Sequence, residues 1–332
     1  MTQTKRTKTI LSFILLAALL LILFFVSVSL GSLKVTPGQL LRGLFVEYDK
    51  AVATVYDLRF PRILISLLAG AALAVSGVLM QSVMKNPIAD PGVIGISSGA
   101  AFVAVIVTAL APALFFLTPL FAFAGGILAF LLVYSLAWNA GLNPLRIILV
   151  GVAVNAMFAG LSSAFNSFSG GNLSGVAAIV NGNITMKTWD DVGTLFWYVI
   201  VGLILAFLMA QKCNLLTLED KTARSLGVDV NKSRLLVSCI AVLLASISTA
   251  IVGVVGFLGL IAPHIARLLV GSDHKTLIPF SMLLGAFILL LTDTLGRTVA
   301  APYEISAGIL MAVIGGPFFV FLLKRSGKNY GN

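Results

Sequence analysis

Chemistry inside a folded chain needs a constellation of groups: histidines at metal spacing, two carboxylates on one helix face, or a serine or cysteine nucleophile beside a histidine. This 332-residue sequence has only two histidines, His264 and His274, ten residues apart and outside any HExxH pattern. Its two cysteines, Cys213 and Cys239, form no CxxC pair and read as small apolar core residues. No GxxxxGK[ST] stretch occurs, so the chain does not cradle nucleotide phosphates by that route. The sequence predicts no catalytic, metal or cofactor site. Any ATP-driven work would fall to a separate polypeptide.

Two charged features remain. Asp293, between Thr292 and Thr294, is the one carboxylate inside a long apolar stretch. An ion-coupled carrier keeps such groups near mid-membrane, but this one falls near a helix end, where a pair with Arg297 one turn later is the simpler reading. The second feature is LTLEDKTARSLGVDVNKSR, residues 216–234, which gathers acids and bases into one short run. Thr217 is a plausible N-cap with Asp220 three residues on, and Leu218 to Leu226 suit a short helix. Gly227 would end it as a C′ residue, and Asn231 would cap the next helix. Leu218, Thr222 and Leu226 then share a face, while Glu219, Lys221 and Arg224 point elsewhere. On local grounds a solvated loop and a docking handle for a cytosolic partner stand level.

The elements that position these residues follow from composition. The chain is 59% hydrophobic and 10% charged, with 31 Gly and 22 Phe, and its mean hydropathy is +1.07. A water-soluble chain of this length cannot hide that much apolar surface, so this is an all-α polytopic membrane protein. Windows of membrane-spanning length fall near 10–30, 62–82, 93–112, 115–137, 146–166, 193–211, 235–254, 256–270, 277–295 and 305–323, giving about ten helices. The eighth is short and broken by Gly253, Gly256, Gly259 and Pro263. The first, after Lys5-Arg6-Thr7-Lys8, has too long an apolar run for a signal peptide and reads as a retained helix.

With the basic N-terminus inside, fifteen of the 22 Lys and Arg residues fall on the cytoplasmic side and seven outside, which places both termini in the cytoplasm. The net charge of +10 is dispersed at helix ends, where headgroups and topology account for it, and nucleic acid is not an expected partner. The whole of 1–332 reads as one transmembrane domain. An external segment, 31–60, carries Lys34, Arg42, Glu47, Asp49, Lys50, Asp57 and Arg59 and folds over the outer surface. Asn86-Pro87, Asp90-Pro91 and Asn143-Pro144 mark cytoplasmic turns. A polar connection, 166–191, contains Gly170-Gly171 and faces outward. Arg62-Ile-Leu-Ile-Ser66 and Arg234-Leu-Leu-Val-Ser238 form a faint repeat that begins on opposite sides, as in an inverted-repeat transporter.

Five stretches carry a family resemblance: LRFPRILISLLAGAALAVSGVLMQ (58–81), NPIADPGVIGISSGA (86–100), LEDKTARSLGV (218–228), GFLGLIAPHIARLLVGSDHKTLIP (256–279) and TDTLGRTVAAPYEISAGILMAVIGGPFFVFLL (292–323). In order and without large gaps, they resemble the FecCD-type permeases of ABC importers for iron-siderophore complexes, vitamin B12 and haem. The resemblance implies a type II ABC importer permease of ten helices in the cytoplasmic membrane of a prokaryote. It would pair with a second permease chain, identical or paralogous, with two cytosolic ATPase subunits, and with an extracytoplasmic substrate-binding protein.

Site residues follow from the same resemblance. Arg59, Arg62 and Arg297 match the family's external docking arginines, which meet acids on the binding protein. Leu218, Glu219, Arg224, Ser225, Leu226 and Gly227 match its coupling helices, about 217–234 here, which seat in the ATPase. The path would run along the fifth and tenth helices, past Asn155, Ser162, Ser163 and Asn166 on one and Ser306 and Met311 on the other, with Gly315-Gly316-Pro317 nearby. His264 reads as structural. The expected function is ATP-driven import of an iron-siderophore chelate by alternating access. Vitamin B12 or haem is the alternative cargo, and an ion-coupled secondary carrier or an intramembrane enzyme is the competing class.

Overall fold

A computed structural model describes residues 3–30, 35–46, 49–138, 144–169 and 176–327. Lys34, Glu47, Asn143, the Gly170-Gly171 pair and Lys328, all used in the sequence reading, lie outside them. Among the described residues the elements are helical, with no strand. They are α1 (Gln3–Ser29), α2 (Pro37–Phe45), α3 (Lys50–Leu58), α4 (Phe60–Met84), α5 (Ile96–Leu110), a 3-10 turn (Pro112–Leu117), α6 (Thr118–Trp138), α7 (Pro144–Phe168), α8 (Val176–Asn181), α9 (Trp189–Leu208), α10 (Ala210–Leu216), α11 (Asp220–Ser225), α12 (Val230–Val252), α13 (Leu258–Val270), α14 (His274–Gly296) and α15 (Ala307–Gly327). Each of the ten expected spans coincides with one apolar helix. Among the described residues seven of these are long and apolar enough to cross a membrane, α5 and α13 are shorter, and α15 is apolar over Ala307–Leu322.

The bundle is organised around α4. Pro61 suits its first turn, where an amide would lack a partner in any case. Lys85, in the left-handed region at φ 48°, ends it. Between them the helix is apolar on all sides and buried along most of its length, packed against α14, α12, α13 and α9. Small residues set these distances. A Cβ built on Gly70 would fall 2.4 Å from the Gly285 carbonyl oxygen of α14, and one on Gly77 would fall 1.9 Å from that of Gly259 in α13. In lipid, such backbone approach supplies the packing that apolar exclusion cannot.

The sequence reading of α13 needs correction. The chain breaks over 253–257, where Gly253 and Phe257 take φ of 77° and 65°, and then runs helical through both Gly259 and Pro263. Pro263 has no amide to offer the Gly259 carbonyl four residues back. Gln81 of α4 donates its Nε2 to that oxygen instead, at 3.3 Å, so the proline costs no unpaired acceptor.

Segment 35–60 forms two short capped helices. Thr36 and Gln39 make a capping box on α2, and Asp49 accepts from Ala51 and Val52 to start α3. Leu40, Val52 and Val55 pack with Leu23, Val28, Ile63 and Leu290 as a second apolar cluster at one end of the bundle. The helices carrying the two repeat sequences lie side by side and run antiparallel. Arg62 begins α4 beside Asp293, whereas Arg234, early in α12, meets the same carboxylate as Lys85 beyond the far end of α4.

Candidate functional site

Charge is concentrated at the two ends of this bundle. At the first end Arg62 reaches from α4 to α14, its Nε 3.0 Å from both oxygens of Asp293 and its Nη2 2.9 Å from Oδ1. Its Nη1 donates to Glu304 Oε2 at 2.9 Å, and Thr185 donates to the same oxygen at 3.1 Å. The Asp293 side chain is 1% exposed and that of Glu304 40%, so the guanidinium links a sealed carboxylate to a surface one. The expected Asp293–Arg297 pair does not form. Arg297 Nη2 instead donates to the Ser27 carbonyl and hydroxyl, its Nη1 to Leu30 O, and Arg59 Nη1 to Val28 O at 2.6 Å. The cause is the end of α1. Its last carbonyls have no helical donors, and the two arginines supply charge-assisted ones where the helix dipole is negative.

The second end centres on Asp220. Its Oδ1 accepts from Lys85 Nζ at 2.7 Å and from Arg234 Nη2 at 2.8 Å, and Lys85 also donates to the Leu218 carbonyl. The hydrogen bond from Lys85, with Arg234 beside it, holds the Asp220 carboxyl below its ordinary range. This pairing alters the expected caps. Because Asp220 is drawn to Lys85 and Arg234, it does not fold back on Thr217, whose hydroxyl donates to Asn214 O at the end of α10. Glu219 stands at the N-cap of α11 without a side-chain bond, and Asp229, not Asn231, caps α12 by accepting from Lys232 N. Gly227 does end α11, at φ 80°. Its amide bonds to Arg224 O and that of Val228 to Ala223 O, the paired bonds of a Schellman motif. Ala223 alone of α11 is buried. Leu218, Glu219, Arg224, Ser225, Leu226 and Gly227 are exposed together, Leu226 at 60%.

The proline-marked turn after α4 is built by two carboxamide and carboxylate turns. Asn86 Oδ1 accepts from Ile88 N, and Asp90 Oδ2 from Gly92 and Val93 N. Asp90 is buried, and the amides of Phe257 and Gly259 at the start of α13 also face it. Burial outweighs these four donors and pushes its carboxyl up to about 6. Nearby, His274 is held by Asn214 Oδ1 at 2.6 Å from Nδ1 and by Ser82 at 2.6 Å from Nε2, while Asn214 Nδ2 donates to Asp273. A cavity of about 290 Å³ opens beside it, lined among others by Lys85, Arg267 and Ser272. Cys213 is buried, and burial pushes its thiol up to about 12, which suits a core residue.

The residues expected along a path face different ways. Ser162 is buried and donates to Phe158 O, Ser163 is exposed and donates to Ala159 O, and Asn155 and Asn166 are half-buried. Ser306 donates to Asn181 O at 2.7 Å and accepts from Ile309 N, and Met311 is fully buried in the main core. His264 meets Phe318 edge-on at 5.7 Å, joining α13 to α15. Sequence reasoning missed Lys85, Asp220, Asn214 and Arg267 as site members. The only local signal was Lys85 standing directly before Asn86-Pro87 at a helix end.

The fold and its two charged ends define a polytopic membrane permease. Residues 19–325 match the model of the FecCD transport family, and the chain belongs to that family. It is an ABC importer permease of the type II fold. It is 39% identical over 324 residues, 98% of each chain, to the probable heme-iron transport system permease protein IsdF of Staphylococcus aureus strain MSSA476, and matches the strain Newman protein to the same extent. A chain solved in an inward-facing conformation of a metal-chelate type ABC transporter superposes with a TM-score of 0.77 at 30% identity, covering 93% of this chain and 97% of that one. PsaBC of Streptococcus pneumoniae, solved with a Fab, shares the fold at a TM-score of 0.58 and 16% identity, covering 86% and 94%.

Proposed function

We propose that this chain is the single transmembrane domain through which an ATP-driven importer moves an iron chelate across the cytoplasmic membrane by alternating access. Haem is the cargo best supported, and the observation that carries it is the 39% identity over 98% of the chain to the haem-iron permeases. A ferric siderophore is the second reading, favoured by the likeness to the metal-chelate type transporter. The division of cations argues for the Asp220 end in the cytoplasm, with both termini and the coupling helices, and for the Arg62 end and segment 31–60 outside.

In this reading the exposed Leu218, Glu219, Arg224 and Leu226 seat in a cytosolic ATPase, two copies of which serve a pair of permease chains. Arg59, Arg62 and Arg297 face the acids of an extracytoplasmic binding protein. The path follows α7 and α15, with Asn155, Ser163 and Asn166 toward it and Ser162, Ser306 and Met311 shaping the helices behind. The test is uptake into proteoliposomes holding the assembled permease and ATPase, with the binding protein added. Haem, or else a ferric siderophore, should enter only with internal ATP. Uptake driven by a proton gradient without the ATPase would instead establish a secondary carrier.

A further inference from the structure

Arg267 is the unexplained cation of the Asp220 end. It lies in the last turn of α13, its Nη1 is buried with no acceptor, and its side chain makes no ion pair or hydrogen bond among the described residues. A half-buried guanidinium without a counter-charge is costly, and neighbouring acids do not relieve it. Asp220 is already shared by Lys85 and Arg234, and Asp273 caps α14 and accepts from Asn214. Three cations, Lys85, Arg234 and Arg267, thus stand against two engaged carboxylates.

Arg267 borders the cavity of about 290 Å³ with Lys85, Gln81, Ser82, Ser272 and His274. The cavity walls offer a guanidinium, an ammonium and hydroxyls, the donor set that fits a tetrahedral oxyanion, and no carboxylate is among the lining residues. Its depth is also defined. It lies where α4 ends and α14 begins, at the level of lipid headgroups for helices that span the bilayer. Basic pockets between membrane helices at that level suit anionic headgroups.

We infer that this cavity binds a phosphate group, with Arg267 as its principal ligand. The phosphate is either inorganic phosphate from solution or the phosphodiester of an anionic lipid. Bound there, it would neutralise Arg267 and join α13 and α14 to the turn that holds α11.

The test uses the full chain in nanodiscs and follows its thermal midpoint by tryptophan fluorescence. One arm adds inorganic phosphate to phosphatidylcholine discs, with chloride at matched ionic strength as control. The other compares phosphatidylcholine discs with discs containing phosphatidylglycerol. A rise in the first arm identifies the free anion, and a rise only in the second identifies the lipid. In either case Arg267→Gln should weaken the response at least tenfold in ligand concentration. Ser272→Glu, which places a carboxylate in the cavity, should raise the midpoint without ligand and abolish the response, and it decides the matter if Arg267→Gln fails to fold. A response to neither ligand, one matched by chloride, or one that survives both substitutions would overturn the assignment.

Discussion

Lys85 Nζ lies 2.7 Å from Asp220 Oδ1, a contact that ties the residue after α4 to the first residue of α11, 135 positions later. Arg234 of α12 shares the same oxygen, so one carboxylate joins the short helix α11 to two core helices. Asp220→Asn should therefore loosen α11 rather than unfold the chain. These pairs are half-exposed, and the stability cost should stay within about 1 kcal/mol. Cargo uptake should fall several-fold while ATP hydrolysis by the assembled complex continues. Uptake and hydrolysis falling together would show that Asp220 serves assembly, not transmission.

Replacing Glu219 and Arg224 together removes two exposed side chains that make no bond among the described residues. The thermal midpoint should be unchanged, and copurification of the ATPase should drop markedly. Full retention of the ATPase with normal uptake would remove the coupling role from α11.

Asp293 and Glu304 hold the same arginine with different weight. Asp293→Asn leaves Arg62 without its buried partner, a loss of about 3–5 kcal/mol, whereas Glu304→Gln frees only the exposed arm and should cost about 1 kcal/mol or less. If Arg62 docks a binding protein, Glu304→Gln should also strengthen that affinity, since it removes the internal competitor. Titration of the binding protein onto the assembled transporter reads this directly, and a weakened affinity would assign Glu304, not Arg62, to the dock.

Asp90, in the connection after α4, sets a pH dependence. Its carboxyl is raised from 3.8 to about 6 in the folded chain, so the native state holds the proton more tightly than the unfolded one. The contribution of Asp90 to stability is constant above about pH 6 and rises on acidification between about 6 and 4, by at most about 3 kcal/mol. Asp220 acts in the opposite sense, and its contribution is lost below pH 4, outside that window. On acidification from pH 7 to 4 the thermal midpoint of the native chain should gain on that of Asp90→Asn, since every other titrating group is common to both, and an unchanged difference would remove Asp90 from the pH response.

Gly77 and Gly160 provide a matched pair. A Cβ at Gly77 meets the Gly259 carbonyl at 1.9 Å, while one at Gly160 meets nothing within 4 Å. Gly77→Ala should cost about 1–3 kcal/mol through displacement of α13. Gly160→Ala, in an open stretch of α7, should stabilise by roughly 0.5–1 kcal/mol. Equal midpoints for the two variants would contradict the close crossing.

The helices were legible because each span is a local property: a run of apolar residues needs no partner to declare itself. Gly227 as a helix stop was legible for the same reason. Partner choice was not. Asp293 lies four residues from Arg297 and 231 from Arg62, and a local rule selects the near cation, yet the carbonyl end of α1 claims Arg297 first. Thr217 and Asn231 lost their expected capping roles by similar competition, Thr217 because Asp220 is engaged across the fold and Asn231 because Asp229 is closer to the turn. Arg267 gave no signal, since a buried cation without a partner looks in sequence like any other positive-inside residue.

α4 carries an ion pair at each tip, Arg62 with Asp293 at its beginning and Lys85 with Asp220 just past its end. At 25 residues it is about 37 Å long, close to the thickness of the bilayer it crosses. A strut pinned at both tips and wedged by glycine contacts cannot slip along its own axis with both pins in place. Axial travel would break both pins together, so any movement of α4 that spares one of them is a tilt about that tip.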